Sequence, residues 1–151
     1  MVSKAELRYR ARERLVQCLF QWDYSGGVLD DLVLCADSAE KQHPFDHLYF
    51  NAIKEAIRPE MDKIDAAIRQ YVDRDMVEIS KVELAVMRLA CFEIMCRDDV
   101  PFKVAIDQAA RLNKKFGTAH GHKYINAVLD AVAQEYRQLE YQVAQDKKGR
   151  T

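Results

Sequence analysis

Five cations crowd the start of the chain: Lys4, Arg8, Arg10, Arg12 and Arg14 are offset only by Glu6 and Glu13, a local excess of five minus two, or +3. A guanidinium forks onto phosphate oxygens through paired N–H groups and lies against the faces of bases. Tyr9, Phe20 and Tyr124 add aromatic rings on which unpaired nucleotides could stack. Arginines at the positive end of a helix dipole work against the helix, which suggests a purpose other than helix stability. A solvated surface helix, with its aromatic residues in the core, is the alternative. Residue chemistry alone leaves both readings open.

Other chemistry is sparse. His43 and His47 stand at i, i+4, and His120 and His122 lie further on, but Pro44 follows His43 at once and no third ligand or H-E-x-x-H is present, so no metal site is expected. The chain has no glycine-rich phosphate loop, no G-x-S-x-G and no paired-carboxylate motif. No catalytic residue and no cofactor are expected, and the chain does not read as an enzyme. Glu93 and Arg97 are i, i+4 neighbours on an apolar helix, so Glu93 is expected to pair with a cation rather than to do acid–base work.

These residues must be positioned by helices. From Ser80 to Arg97, apolar residues such as Val82, Leu84, Val86, Met87, Leu89, Phe92 and Ile94 point in every direction around a 3.6-residue period. That pattern predicts a buried central helix. Ser80 and Glu83 form a capping-box signature at its start. Leu7, Ala11, Leu15, Cys18, Leu19 and Trp22 predict an amphipathic first helix over about 4–24, followed by a Ser25-Gly26-Gly27 turn, a short helix over 29–36 and a loop over 37–43. A third helix is expected from Pro44 to Arg58, with Phe45, Leu48, Tyr49, Ala52, Ile53 and Ala56 as its buried stripe, and a fourth over 61–71. Pro101 to Phe116 and about 122–139 complete a set of seven, with Arg111, Lys114 and Lys115 complementing a helix C-terminus.

With 151 residues, 49% hydrophobic and 31% charged, the chain has material for one compact unit. Five glycines and three prolines argue against a turn-rich β-sandwich, so the fold class is all-α. A single domain is expected over 1–145, with an N-terminal helical part (1–75), a C-terminal helical part (76–145) and a disordered basic tail (146–151). A net charge of −1 gives no general attraction to polyanions, which leaves any nucleic-acid affinity to the local cluster. Cys18, Cys35, Cys91 and Cys96 form no C-x-x-C pair and read as small packed thiols of a reducing cytoplasm. No membrane span or signal peptide is expected.

Four stretches in order carry a family resemblance: A-R-E-R-L-V-Q-C-L-F-Q-W (Ala11 to Trp22), V-E-L-A-V-M-R-L-A-C-F-E (Val82 to Glu93), D-V-P-F-K-V-A-I-D-Q-A-A-R-L-N-K-K-F-G (Asp99 to Gly117) and H-K-Y-I-N-A-V-L-D (His122 to Asp130). The chain resembles the bacterial NusB transcription antitermination family. The resemblance implies two packed three-helix subdomains and a non-enzymatic protein that binds boxA-type RNA of ribosomal RNA transcripts. It implies the ribosomal protein NusE as a partner, within the RNA polymerase elongation complex and beside other Nus factors. By position, the family's arginine-rich motif falls on Arg8, Arg10 and Arg12 with Lys4 upstream, and its RNA contacts fall on Phe20, Lys123 and Tyr124. Its acidic position near the NusE and RNA surface falls on Glu83, which is also the capping-box residue. Three departures stand out: Tyr9 interrupts the arginine run, Phe20 replaces a common tyrosine, and Thr118-Ala119-His120-Gly121 replaces a loop that is often acidic.

Two other functions compete. The related domain of RNA cytosine methyltransferases needs a second, cofactor-binding domain, for which this length has no room. A helical protein-interaction module without specific RNA binding is allowed by the near-neutral charge. Monomer and homodimer both stay open, and a dimer would be able to cover the basic helix.

Overall fold

A computed structural model describes residues 1–26, 43–118 and 121–149. The expected helix over 29–36 and most of the loop after it lie outside the described residues, as do Cys35, His120 and the side chain of His122. Among the described residues are seven α-helices: α1 (Lys4–Tyr24), α2 (His47–Ile57), α3 (Met61–Tyr71), α4 (Lys81–Cys96), α5 (Phe102–Phe116), α6 (Gly121–Tyr136) and α7 (Gln138–Gly149). Short 3-10 turns at Arg58–Glu60 and Met76–Glu78 lead into α3 and α4.

The fold is organised by α4. Every residue from Glu83 to Ile94 is buried, and the helix packs against α1, α3, α5 and α6. A helix apolar all round has no stable place except the inside of a bundle. Each fully buried Leu, Ile or Phe, such as Leu89, Ile94 and Phe92, contributes about 1.5–3 kcal/mol. The helices α1–α3 cover one side and α5–α6 the other, which is the expected pair of three-helix groups sharing a central element.

Several boundaries differ from the sequence expectation. Pro44 lies before α2 rather than in it, because Asp46 is the N-cap and its carboxylate accepts from the Tyr49 amide at 3.0 Å. The buried stripe of α2 is therefore Tyr49, Phe50, Ile53 and Ile57, and Leu48 is left 86% exposed. The last expected helix ends at Tyr136, and α7 carries the chain in helix to Gly149, so Lys147 and Lys148 are not part of a disordered tail. The break between the two is Arg137, whose guanidinium donates to the carbonyls of Ile94 (2.8 Å), Glu93 (3.1 Å), Arg97 (2.6 Å) and Val100 (2.9 Å). It caps the C-terminal end of α4 from outside. Cys18 is disulfide-bonded rather than a packed thiol, whereas Cys91 and Cys96 are free. Among the described residues no helix is long and apolar enough to cross a membrane.

Candidate nucleic-acid interface

The cations of α1 divide by helical phase. Arg12 lies three, four and seven residues before Leu15, Val16 and Leu19, on the buried stripe, and it is 3% exposed. Its Nε and Nη2 each donate to Glu93 Oε2 at 2.9 Å, and its Nη1 donates to Gln108 Oε1 at 3.3 Å. Burial pulls the Arg12 pKa down, but the Glu93 carboxylate outweighs that and holds it above the ordinary value. The cation expected for Glu93 is thus Arg12 and not Arg97, which pairs with Asp99 at 2.9 Å instead. Of the three arginines assigned to the RNA motif, Arg12 belongs to the core.

The other members face outward. Lys4 is exposed, and Arg8 is half-buried with its guanidinium 4.2 Å above the Tyr49 ring. Both line a cleft of about 720 Å³ between α1, the start of α2 and the start of α5, with Leu48, Val104 and Gln108 among its walls. Arg10 donates to the Pro44 carbonyl at 3.0 Å, and Arg14 stands over Phe45 at 5.4 Å. They open onto α5, where Arg111, Lys114 and Lys115 complete a second cationic groove with His43. Glu6 and Glu13 pair with Arg111 and Lys115 across it. Tyr9 is buried beneath, with the Arg111 guanidinium 3.4 Å from its ring centre, so it packs the groove and offers no face to a base.

In the sequence the α5 cations read only as complements to the helix dipole. Three cations within Arg111–Lys115 are as dense as the α1 run, and that density is the signal the sequence carries for this groove. Arg10 and Arg14 of α1 share one groove with Arg111, Lys114 and Lys115 of α5, and Lys4 and Arg8 line the separate cleft.

Phe20 and Tyr124 sit at the opposite end of α4. Phe20 follows Arg8 by twelve residues, about 18 Å along α1, and is half-buried with its ring stacked on Tyr24 at 6.0 Å. The last turn of α1 is tied to α4 by Asp23, which pairs with Lys81 and Arg88, each at 3.3 Å. Tyr124 donates to Glu83 Oε1 at 2.6 Å, and Arg74 covers one ring face at 4.5 Å. Burial, then this bond, push the Tyr124 pKa up. Lys123 beside it is exposed.

Glu83 is 3% exposed and saturated. Its amide donates to Ser80 Oγ at 3.1 Å, and its carboxylate accepts from the Ser80 hydroxyl (2.9 Å), the Thr118 hydroxyl (3.1 Å) and Tyr124. Instead of reaching back to the Ser80 amide as a capping box would, the carboxylate turns to the α5–α6 connection. The absence of a side chain at Gly121 lets that connection come close: a Cβ there would stand 1.4 Å from Glu83 Oε2, so the carboxylate would have to shift. Glu83 therefore fixes the position of Tyr124 and has no surface for a partner.

The two histidines at i, i+4 do not share a helix. His43 lies before α2, so the i, i+4 spacing is not helical, and the His47 ring stacks on Phe45 at 4.1 Å. Among the described residues no group of three metal-ligating side chains occurs.

The profile of the NusB family matches residues 9–134. The chain belongs to the NusB family. It is 37% identical over 134 residues to a transcription antitermination protein NusB of Xanthomonas campestris pv. campestris, covering 89% of this chain and 84% of that one. The NusB of Xanthomonas axonopodis pv. citri is equally similar, 37% over 134 residues, with 89% of this chain covered. Among solved structures, T. maritima NusB superposes with a TM-score of 0.74 at 25% identity, covering 89% of this chain and 96% of the other. The match extends across α1 to α6, so the NusB arrangement of helices around α4 holds here.

Proposed function

We propose that this NusB family protein is a transcription antitermination factor of the bacterial cytoplasm. It binds single-stranded boxA-type RNA of ribosomal RNA transcripts together with the ribosomal protein NusE, and so joins the RNA polymerase elongation complex beside other Nus factors. The observation that carries the reading is the cationic groove between α1 and α5, where Arg10, Arg14, Arg111, Lys114 and Lys115 outnumber Glu6 and Glu13 on a chain whose net charge is only −1. A groove of this kind, on a molecule otherwise balanced in charge, favours a polyanion over a general electrostatic partner. Lys4, Arg8 and Arg10 are the phosphate-binding residues of α1, joined by Arg14, Arg111, Lys114 and Lys115. Phe20, Lys123 and Tyr124 form a second contact at the other end of α4, so a single strand of several nucleotides is needed to reach both. Arg12 and Glu83 support these surfaces from inside. A homodimer across α1 would compete with RNA.

The test is fluorescence anisotropy of labelled boxA-type RNA, with and without the ribosomal partner, at two salt concentrations and against a scrambled RNA. Selective binding that the partner tightens and salt weakens is the expected result. Equal binding of both RNAs, with no effect of the partner, overturns the reading in favour of a helical protein-interaction module.

A further inference from the structure

Arg8 is held by an unusual neighbour. Tyr49 is 3% exposed and cannot turn: its amide is bonded to Asp46, its hydroxyl donates to Glu93, and its ring is walled in by α1 and α4. Three guanidinium groups surround that ring, Arg8 at 4.2 Å, Arg97 at 5.1 Å and Arg12 at 5.3 Å. Arg12 and Arg97 are spoken for by Glu93 and Asp99. Arg8 makes no hydrogen bond or ion pair among the described residues, and its guanidinium lies over the ring face.

The local charge also matters. Lys4, Arg8, Arg12 and Arg97 total +4 against Asp46, Glu93 and Asp99 at −3, which leaves +1 around the cleft. That surplus is the charge of Arg8 itself, so its neighbours balance at +3 against −3 and exert no net pull, while the ring face attracts it by the aromatic quadrupole, more strongly where water is thin. A long side chain that would otherwise sample many rotamers is thereby parked in the lining of a cleft with its donors unspent.

We infer that Tyr49 is a positioning residue for RNA binding: it holds the Arg8 guanidinium over its ring, in the lining of the α1–α2–α5 cleft, ready to fork onto a phosphate. This rests on the RNA-binding reading and deepens it. The ring supplies the ordering before the RNA arrives, so the entropy of fixing Arg8 is not charged against affinity. Tyr49 touches no RNA itself, because it is buried.

A double-mutant cycle in the full chain tests this, read by anisotropy with the same boxA-type RNA, with circular dichroism confirming the fold of each variant. Arg8→Ala is expected to weaken binding about tenfold, equivalent to about 1.4 kcal/mol. Tyr49→Leu, which removes the ring, is expected to weaken it about three- to tenfold, and to add nothing in the Arg8→Ala background. With Arg10→Ala the same Tyr49→Leu change should multiply, and Tyr49→Phe, which keeps the ring, should bind like the parent. If Arg8→Ala weakens binding but Tyr49→Leu does not, the positioning role is overturned while the RNA-binding reading stands. If no arginine substitution on α1 matters, the RNA-binding reading itself fails and the inference with it. Should Tyr49→Leu not fold, ¹⁵N relaxation of the Arg8 Nε–H in the parent protein decides: an ordered guanidinium is expected, and a freely reorienting one overturns the proposal.

Discussion

Arg12 and Glu93, 81 residues apart in sequence, meet at 2.9 Å inside the core with side chains 3% and 1% exposed. The pair ties the helix that carries the basic face to the helix at the centre of the fold. Tyr49 donates to the same carboxylate, so α1, α2 and α4 share one buried acid. Such a network is worth little relative to a well-packed apolar replacement, yet costs heavily to break from one side.

Glu93→Ala should therefore lose about 3–5 kcal/mol of stability, because it strands a buried guanidinium. Arg12→Met combined with Glu93→Leu should recover most of that loss, since both charges leave together. Urea denaturation at neutral pH measures both. A single Glu93 variant as stable as the parent would show that the pair is not a constraint on the core.

The same cluster sets an alkaline limit. Burial first, and the Glu93 charge second, raise the Tyr49 pKa above its ordinary value. The unfolded tyrosine ionises near 10, so above that pH the unfolded chain binds fewer protons than the folded one. Stability attributable to Tyr49 is fully present below about pH 10 and falls as pH rises further, by up to about 1.4 kcal/mol per pH unit. Tyr49→Phe should remove this part of the slope, as read by urea midpoints between pH 9 and pH 11 in the two proteins.

The position of α4 was legible from its sequence because burial on all sides leaves an unmistakable pattern, and Ser80 marks its start. The location of Glu93's partner was not, since i, i+4 rules describe exposed helix faces and this acid is interior. Yet the phase of Arg12 against Leu15, Val16 and Leu19 was readable, and it separates Arg12 from Arg8 and Arg10. The helix α7 escaped notice because only Ala144 in it is buried, and Leu139 and Val143 point outward at 86% and 53% exposure. Its attachment comes from Arg137 and Glu140, whose carboxylate accepts from the Phe102 amide at 2.8 Å. Contacts of that kind leave no periodicity to read.

Arg137→Ala should accordingly uncap α4 and loosen α7 together. Four carbonyls lose a charged donor, for which about 2–3 kcal/mol is expected from the strength of charge-assisted bonds. Hydrogen exchange of the last turn of α4 and of α7 should accelerate in the variant. Unchanged protection there would mean that water replaces the guanidinium without cost.

Gly121→Ala should act through Glu83. A methyl at that site displaces a carboxylate that is bonded to Ser80, Thr118 and Tyr124, and overpacking of this order costs about 1–3 kcal/mol. Combining Gly121→Ala with Glu83→Ala should cost no more than Glu83→Ala alone, because the clash is gone. Additive losses in thermal or urea denaturation would place the effect of Gly121 in its backbone instead.

The basic face makes a prediction that separates α5 from α1. If four phosphates are neutralised, log affinity should fall with log salt at a slope of about −3, from roughly −0.7 per phosphate on a single strand. Lys114 and Lys115 lie on the α5 side of the groove with exposed ammonium groups, so replacing both with Ala should weaken binding to boxA-type and scrambled RNA alike and flatten the slope by about 1.4. Lys115 also pairs with Glu13, whose side chain is only 12% exposed, so the double substitution leaves a mostly buried carboxylate unpaired and should cost some stability, which circular dichroism at the assay temperature checks. A slope unaltered by the double substitution would confine the RNA to α1 and leave the α5 cations as complements to their own helix terminus.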